Sequence, residues 1–268
     1  MDTIFTKKYG QWALITGATS GIGEELTHQL AAKGLNIALV ARKEKELIEK
    51  SAFLTETYGV QTKCISADIS NQEGIDKVKL ESKDLEVGLL VLAAGLEVNG
   101  AFEKNNVDRE LQVIQLNVIA TMQLTHHFIA PMVQRKKGGV LMISSLSGHM
   151  PNPYFANYAG TKAFVLNFGA SLFGEMKPKG VDITVLSPGL TKTPMIKDNG
   201  VDFSKTPMSA MEPSEVAKTA IDALGKKFLA IPGGKNKMMA AMAKHSPLEM
   251  QAKMNEKMMR KAIDVSKI

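Results

Sequence analysis

Short, almost unbroken apolar runs alternate along this chain with longer amphipathic stretches, and few architectures accept that pattern. A strand that is apolar at nearly every position needs cover on both faces, which helices supply when parallel strands are joined by crossovers. The runs fall at residues 12–15, 36–41, 62–66, 88–93, 139–144, 182–186 and 228–231. The stretches between them, 23–33, 43–58, about 71–80, 109–136, 155–176 and 214–224, read as helices. Seven strands with helical crossovers predict one doubly wound α/β domain of the Rossmann type over residues 1–232, built on a seven-stranded parallel sheet. Residues 233–268 then form a helical C-terminal extension rather than an independent domain. Within the domain, 189–212 carries Pro194 and Pro207 among scattered polar residues and is too long for an ordinary connection. Such loops in compact domains serve as lids or binding loops, and this one is expected to border the substrate.

Composition narrows the class further. Hydrophobic residues at 44% and charged residues at 22% suit a globular protein with a sizeable core. A single cysteine, Cys64, forbids an intrachain disulfide and points to a reducing compartment; its apolar neighbours read it as a small buried hydrophobe. The N-terminal stretch carries no signal-peptide pattern and no apolar run reaches the length of a membrane span, so a cytoplasmic protein is expected. The formal net charge of +6 is concentrated late: from Lys226 onward there are ten Lys or Arg and three Asp or Glu. The body is close to neutral and has no basic cluster interleaved with aromatics, which sets nucleic acid aside as a partner.

Three stretches carry chemistry. The first strand runs directly into ITGATSGIG, where Gly17, Gly21 and Gly23 follow a strand and precede a helix. That context suits a dinucleotide pyrophosphate, which needs a tight turn, close backbone approach and a helix N-terminus. At the tip of the second strand stands Ala41, followed by Arg42 and Lys43, with no carboxylate at the tip. A basic pair where the adenosine ribose belongs favours NADP over NAD, although Glu44 and Glu46 leave open a basic first turn of an exposed helix. Asp68, after the third strand, is a candidate acceptor for an adenine amino group or, equally, the cap of a turn. The third stretch is NYAGTKAF, in which Tyr158 and Lys162 are four residues apart and share a helix face. Ser145, in MISSLSG, belongs at the carboxyl end of the fifth strand, where ligands of parallel sheets gather. Asn117 lies in QLNVIA, within the helical stretch before that strand.

The combination TGxxxGxG, an Asn in the fourth-to-fifth crossover, ISSxxG, YxxxK and PGLTKT resembles the short-chain dehydrogenase/reductase family over about residues 10–232. The resemblance implies an NADPH-dependent carbonyl reductase whose catalytic residues are Asn117, Ser145, Tyr158 and Lys162. Tyr158 would be the general acid in reduction and the base in oxidation, and Ser145 would hold the substrate oxygen. Lys162 would bind the nicotinamide ribose and depress the phenol's pKa, and Asn117 would hold a water in a proton relay. It also assigns Thr19, Ser20 and Ile22 to the glycine turn, Ala94 and Gly95 to the adenosine side, and Pro188, Gly189, Thr191 and Thr193 to the nicotinamide and its phosphate. One departure stands out: relatives have Asn-Asn-Ala-Gly after the fourth strand, where this chain has Leu92-Ala93-Ala94-Gly95. The missing amides tie neighbouring strands together, which puts local rigidity in question.

Five histidines show no zinc spacing and no metal is expected; His149 borders the pocket on sequence position and is a candidate substrate contact with Tyr154. The apolar candidates Met150, Pro151, Leu190, Met195 and Phe203 suggest a medium-sized hydrophobic ketone, whether 3-oxoacyl or steroid-like. Met250, Met254 and Met258 recur at intervals of four beside several basic residues. That stripe reads as core packing or a subunit contact of a homodimer or homotetramer, with a lid over substrate and a membrane-surface helix as alternatives. The competing functional reading is an NADP-binding regulator or scaffold with little turnover.

Overall fold

The computed structural model describes residues 3–197, 199–264 and 266. Among them seven strands form one parallel sheet: β1 (Trp12–Thr16), β2 (Asn36–Ala41), β3 (Thr62–Ser66), β4 (Val87–Leu92), β5 (Gly138–Ile143), β6 (Val181–Leu186) and β7 (Leu229–Ala230). Their order is β3-β2-β1-β4-β5-β6-β7. The chain therefore builds outward from β1 in one direction, returns, and builds outward in the other. A crevice opens where the two halves part, between the carboxyl ends of β1 and β4.

Helices cover both faces. On one lie α2 (Gly21–Ala32), α3 (Glu44–Tyr58) and α8 (Pro213–Ala223), and on the other α4 (Gln72–Glu81), α6 (Thr121–Arg135) and α7 (Ala156–Met176). The two-residue period of a strand sorts the core between these layers. In β4, Leu89 and Val91 pack with Leu26, Leu47 and Val216, whereas Leu90 and Leu92 pack with Ile75, Leu124 and Val165. Each fully buried aliphatic side chain of this kind contributes about 1.5–3 kcal/mol.

Three details depart from the sequence expectation. A short N-terminal helix, α1 (Thr3–Tyr9), precedes β1; it is too brief for periodicity to reveal. Residues 109–136 are not one helix. They divide into α5 (Val107–Ile114), a π-helical turn (Gln115–Ala120) and α6, so Asn117 sits in a widened turn whose backbone leaves the regular ladder. The last strand keeps two of four expected residues, because only the ladder with β6 holds this edge. Beyond it, the chain ends in α9 (Gly234–His245) and α10 (Leu248–Ala262). No helix among the described residues is long and apolar enough to cross a membrane.

The segment after β4, where the resemblance leads one to expect two asparagines, is tied to β1 by a side chain. The Thr16 hydroxyl accepts from both Ala93 N and Ala94 N, each at 3.1 Å. Thr16→Val keeps the shape and removes that acceptor from two backbone donors, and is expected to lower stability by about 1–3 kcal/mol. Thr16→Ser, which retains the oxygen, should stay nearer the wild type in urea unfolding; equal midpoints for Thr16→Val and wild type would refute the tie.

Candidate active site

A cleft of about 1100 Å3 runs along the carboxyl ends of the strands, with the glycine turn towards one end and Ser145, Tyr158 and Lys162 towards the other. At the first end backbone meets backbone. Gly17 has φ 67°, and a Cβ there would lie 2.9 Å from the Ala94 nitrogen. A Cβ on Gly23 would lie 2.1 Å from the Gly17 carbonyl oxygen, so the turn and the start of α2 close on each other only without side chains. Ser20 precedes α2 in extended conformation and makes no side-chain cap, so the first N–H groups of this helix are left for a ligand. Backbone space and uncapped donors fit a dinucleotide pyrophosphate.

Thr19, Ile22, Arg42, Lys43, Asp68, Ala94 and Gly95 all line the same cleft. Lys43 is already paired, its Nζ 2.6 Å from Glu46 Oε1, and that hydrogen bond holds the Glu46 carboxyl below its usual range. Among the described residues no ion pair engages Arg42, which makes it the freer cation of the two. Asp68 Oδ1 accepts from Ser70 N at 3.0 Å and from Ser70 Oγ at 2.7 Å, so this carboxylate caps a turn while also facing the cleft.

At the other end, Ser145 lies just past β5 and accepts from Ser147 N at 3.1 Å, which shapes the turn 146–148. The neighbouring Ser144 Oγ donates to the Lys162 carbonyl at 2.7 Å, fastening α7 to the end of β5. Tyr158 and Lys162 occupy one face of α7, with Lys162 Nζ 5.6 Å from the phenol ring centroid. That ammonium is 5% exposed and donates to the Ile143 carbonyl at 2.9 Å. Burial draws the Lys162 pKa down to about 8, with the Glu97 carboxylate pulling the other way. Burial pushes the Tyr158 phenol up, Glu97 adds to that, and a hydrogen bond with Ser145 partly offsets both. The expectation of a phenol depressed by its lysine is therefore not met in this geometry, because the ammonium faces the ring and the Ile143 carbonyl. A phenol shifted upward is protonated at neutral pH and is poised as an acid.

Pro188, Gly189, Thr191 and Thr193 form part of the opposite wall. Pro188 accepts from Leu146 N at 2.9 Å, and Thr193 packs on Gly21, joining both ends of the cleft. Of the apolar candidates, Met150, Leu190, Met195 and Phe203 line the cleft, and Leu96, Phe155, Met258 and Met259 join them. Pro151 does not; its carbonyl accepts from Asn255 Nδ2 at 2.7 Å, docking α10 beside the site. The buried face of α10 is Gln251, Asn255, Met259 and Ala262, so the methionine stripe is not its core face: Met250 and Met254 are 53% and 61% exposed.

Asn117 takes on a structural role, and two expectations about individual residues change. The Asn117 side chain is buried: it accepts from Leu96 N at 3.0 Å and donates to Leu96 O at 2.9 Å and Thr161 Oγ1 at 3.0 Å. With both amide protons used, it clamps the chain after β4. His149 points at β6, its Nε2 3.0 Å from Ser187 Oγ, and burial lowers its pKa. Tyr154 adopts φ 66° and donates to Glu256 at 2.8 Å, beside a separate cavity of about 510 Å3. Neither lines the main cleft. Sequence reasoning missed Thr16 and Glu97, since their partners are distant in the chain, and held a substrate lid for the stretch of Met258 only as an alternative, whereas Met258 does line the cleft. Among the described residues no cluster of His, Cys, Asp or Glu could hold a metal.

Comparison with known proteins identifies the family. The family described as short chain dehydrogenase matches residues 11–202. A 7beta-hydroxysteroid dehydrogenase of Clostridium sardiniense is 32% identical over 233 residues, 87% of this chain and 89% of that protein. A very-long-chain 3-oxoacyl-CoA reductase of Anas platyrhynchos is 33% identical over 221 residues, 81% of this chain and 69% of that protein. The solved structure of a short-chain dehydrogenase from Sphingobium yanoikuyae in complex with NADPH has a TM-score of 0.80 at 28% identity, covering 88% of this chain and 93% of that one.

The buried ammonium gives a direct test of the site. Lys162 should carry its proton below a pH of about 8 and lose it above, well under the ordinary lysine range. Glu97→Gln should move that titration lower still, because the carboxylate favours the charged form. NMR titration of isotope-labelled lysine side chains reads both shifts. An ordinary lysine titration at this position would contradict the placement.

Proposed function

Because the chain belongs to the short-chain dehydrogenase family and is an NAD(P)-dependent oxidoreductase of that family, we propose that it reduces a bulky apolar ketone with NADPH, using Tyr158 as the general acid. The observation that carries the reading is the convergence of Ser145, Tyr158 and Lys162 in one cleft with the glycine turn. The substrate carbonyl oxygen takes hydrogen bonds from Ser145 Oγ and the Tyr158 hydroxyl, which fixes it beside the acid. As negative charge develops on that oxygen, the phenol transfers its proton to it, and the nearby Lys162 ammonium is assigned to the nicotinamide ribose. The bound nicotinamide supplies the hydride. Pro188, Gly189 and Thr193 hold the nicotinamide side of the cleft, and the apolar wall excludes water from the reacting carbon.

Methionine, leucine and phenylalanine side chains on that wall favour a large apolar substrate over a sugar or a short acid. Relatives named for a 7beta-hydroxysteroid and a very-long-chain 3-oxoacyl-CoA point to the same class, so a steroid-like or long 3-oxoacyl ketone is the substrate proposed here. Arg42, at the end of β2, is assigned to the 2′-phosphate of NADPH, and Lys43 joins it when its pairing with Glu46 yields.

Tyr158→Phe should retain NADPH binding and lower kcat by roughly 10²–10⁴-fold, since the ring still packs while the transferable proton is gone. Wild-type turnover of any ketone by this variant would remove Tyr158 from the role. For the cofactor, Arg42→Ala should weaken NADPH by about ten- to a hundred-fold, the value of one charge-assisted contact of roughly 1.5–3 kcal/mol, and leave NADH much less affected. Fluorescence titration with both cofactors in one buffer decides it; an equal loss for both would refute the assignment.

A further inference from the structure

Three polar contacts meet at Asn199, in the loop 189–212, and the reaction proposed above uses none of them. Asn199 Nδ2 donates to Glu97 Oε1 at 2.9 Å, and the Asn199 carbonyl accepts from Asn99 Nδ2 at 3.1 Å. Its Oδ1 accepts from Val201 N at 3.0 Å, which holds the local turn. The first two contacts cross from the loop to the segment after β4. That segment is rigid at its root, because the Asn117 amide holds both backbone groups of Leu96. Glu97 itself faces the same cleft as Tyr158 and Lys162, and its charge acts on both.

Past Asn199 the loop pairs with the end of the chain. Asp202 N donates to the Ala262 carbonyl at 2.7 Å, Asp264 N donates to the Gly200 carbonyl at 2.9 Å, and Val201 bridges Ile263 in antiparallel sense. The loop brings Phe203 and Met208 to the apolar wall, and α10 brings Met258 and Met259. The loop is thus fastened to residues 262–264 at the end of α10, and its inner edge is joined to the floor of the cleft through Glu97 and Asn99. A carboxylate accepting from an amide makes a stronger and more directional contact than two neutral groups would.

We propose that Glu97 and Asn199 are paired positioning residues that latch the substrate loop, and the C-terminal segment bound to it, onto the floor of the active site and so set the affinity for bulky substrates. The latch deepens the functional reading above and rests on it for the choice of substrate. Local openings of this kind are governed by the few contacts at the edge of the moving unit.

The test uses the full chain saturated with NADPH. Asn199→Asp keeps the acceptor for Val201 N and the carbonyl for Asn99, but sets two carboxylates against each other. Backbone amides of residues 200–211 should then exchange with deuterium faster, and KM for a bulky ketone should rise roughly tenfold, equivalent to one lost contact. The double variant Glu97→Gln with Asn199→Asp rebuilds the contact with donor and acceptor exchanged, and should bring exchange and KM most of the way back. The kcat value is not the readout, since Glu97 also acts on Lys162. Should Asn199→Asp fail to fold, Asn199→Ser shortens the side chain so that its hydroxyl no longer reaches Glu97, adds no repulsion, and should shift both measurements in the same direction. Wild-type exchange in the single variants, or a double variant as open as Asn199→Asp, would overturn the latch. If the wild type reduces no ketone, the substrate reading fails, and the exchange measurement still judges the latch.

Discussion

Lys162 is an ammonium group held almost entirely out of water, and the catalytic end of the molecule is arranged around that constraint. Burying a charge is costly unless hydrogen bonds and nearby charges compensate. Here the Ile143 carbonyl accepts from it, the Tyr158 ring lies beneath it, and Glu97 supplies opposite charge. Ser144 in turn holds the backbone of Lys162, so the residue is fixed from both its main chain and its tip. The residual penalty appears as a lysine pKa drawn down to about 8, the range in which a group can respond to its surroundings. The same burial keeps the neighbouring phenol protonated, which suits donation of a proton to a carbonyl oxygen.

Nothing at this site works unless the crevice between β1 and β4 keeps its width. This chain ties the segment after β4 with a hydroxyl on one side and an amide on the other: Thr16 takes the N–H groups of Ala93 and Ala94, and Asn117 takes Leu96. The π-helical turn makes the second half possible. By widening one turn of the α5–α6 rod, it brings Asn117 to the chain after β4 and to Thr161 on α7 together.

The apolar half of the cleft has a different construction. It is assembled from segments far apart in the chain, namely Leu96 after β4, Met150 after β5, the loop after β6 and methionines of α10. Methionine fills such a composite surface well, since its unbranched, polarizable side chain adapts to irregular partners. Polar contacts at the rim, through Asn255, Glu256 and Asn199, decide how these segments sit relative to one another.

Much of this was legible in the sequence. The parallel sheet followed from apolar runs that are buried on both faces, and the nucleotide end followed from glycines placed between a strand and a helix, because both signals are local. The meeting of Tyr158, Lys162 and Ser145 in one cleft was readable for a similar reason, their positions being set by helix spacing and by the end of a strand. The clamp made by Asn117 was not, because it depends on a π-turn and a backbone partner twenty-one residues away. His149 and Tyr154 were misplaced because a short turn and a left-handed backbone direct their side chains to Ser187 and Glu256. Glu97 and Asn199 gave no signal at all, since 102 residues separate them and only the return of the loop over the sheet makes them neighbours. Local pattern determined the sheet, the glycine turn and the placement of Ser145, Tyr158 and Lys162; long-range packing alone decided which charges surround them and which segments line the apolar half of the cleft, because those depend on contacts that no stretch of chain encodes by itself.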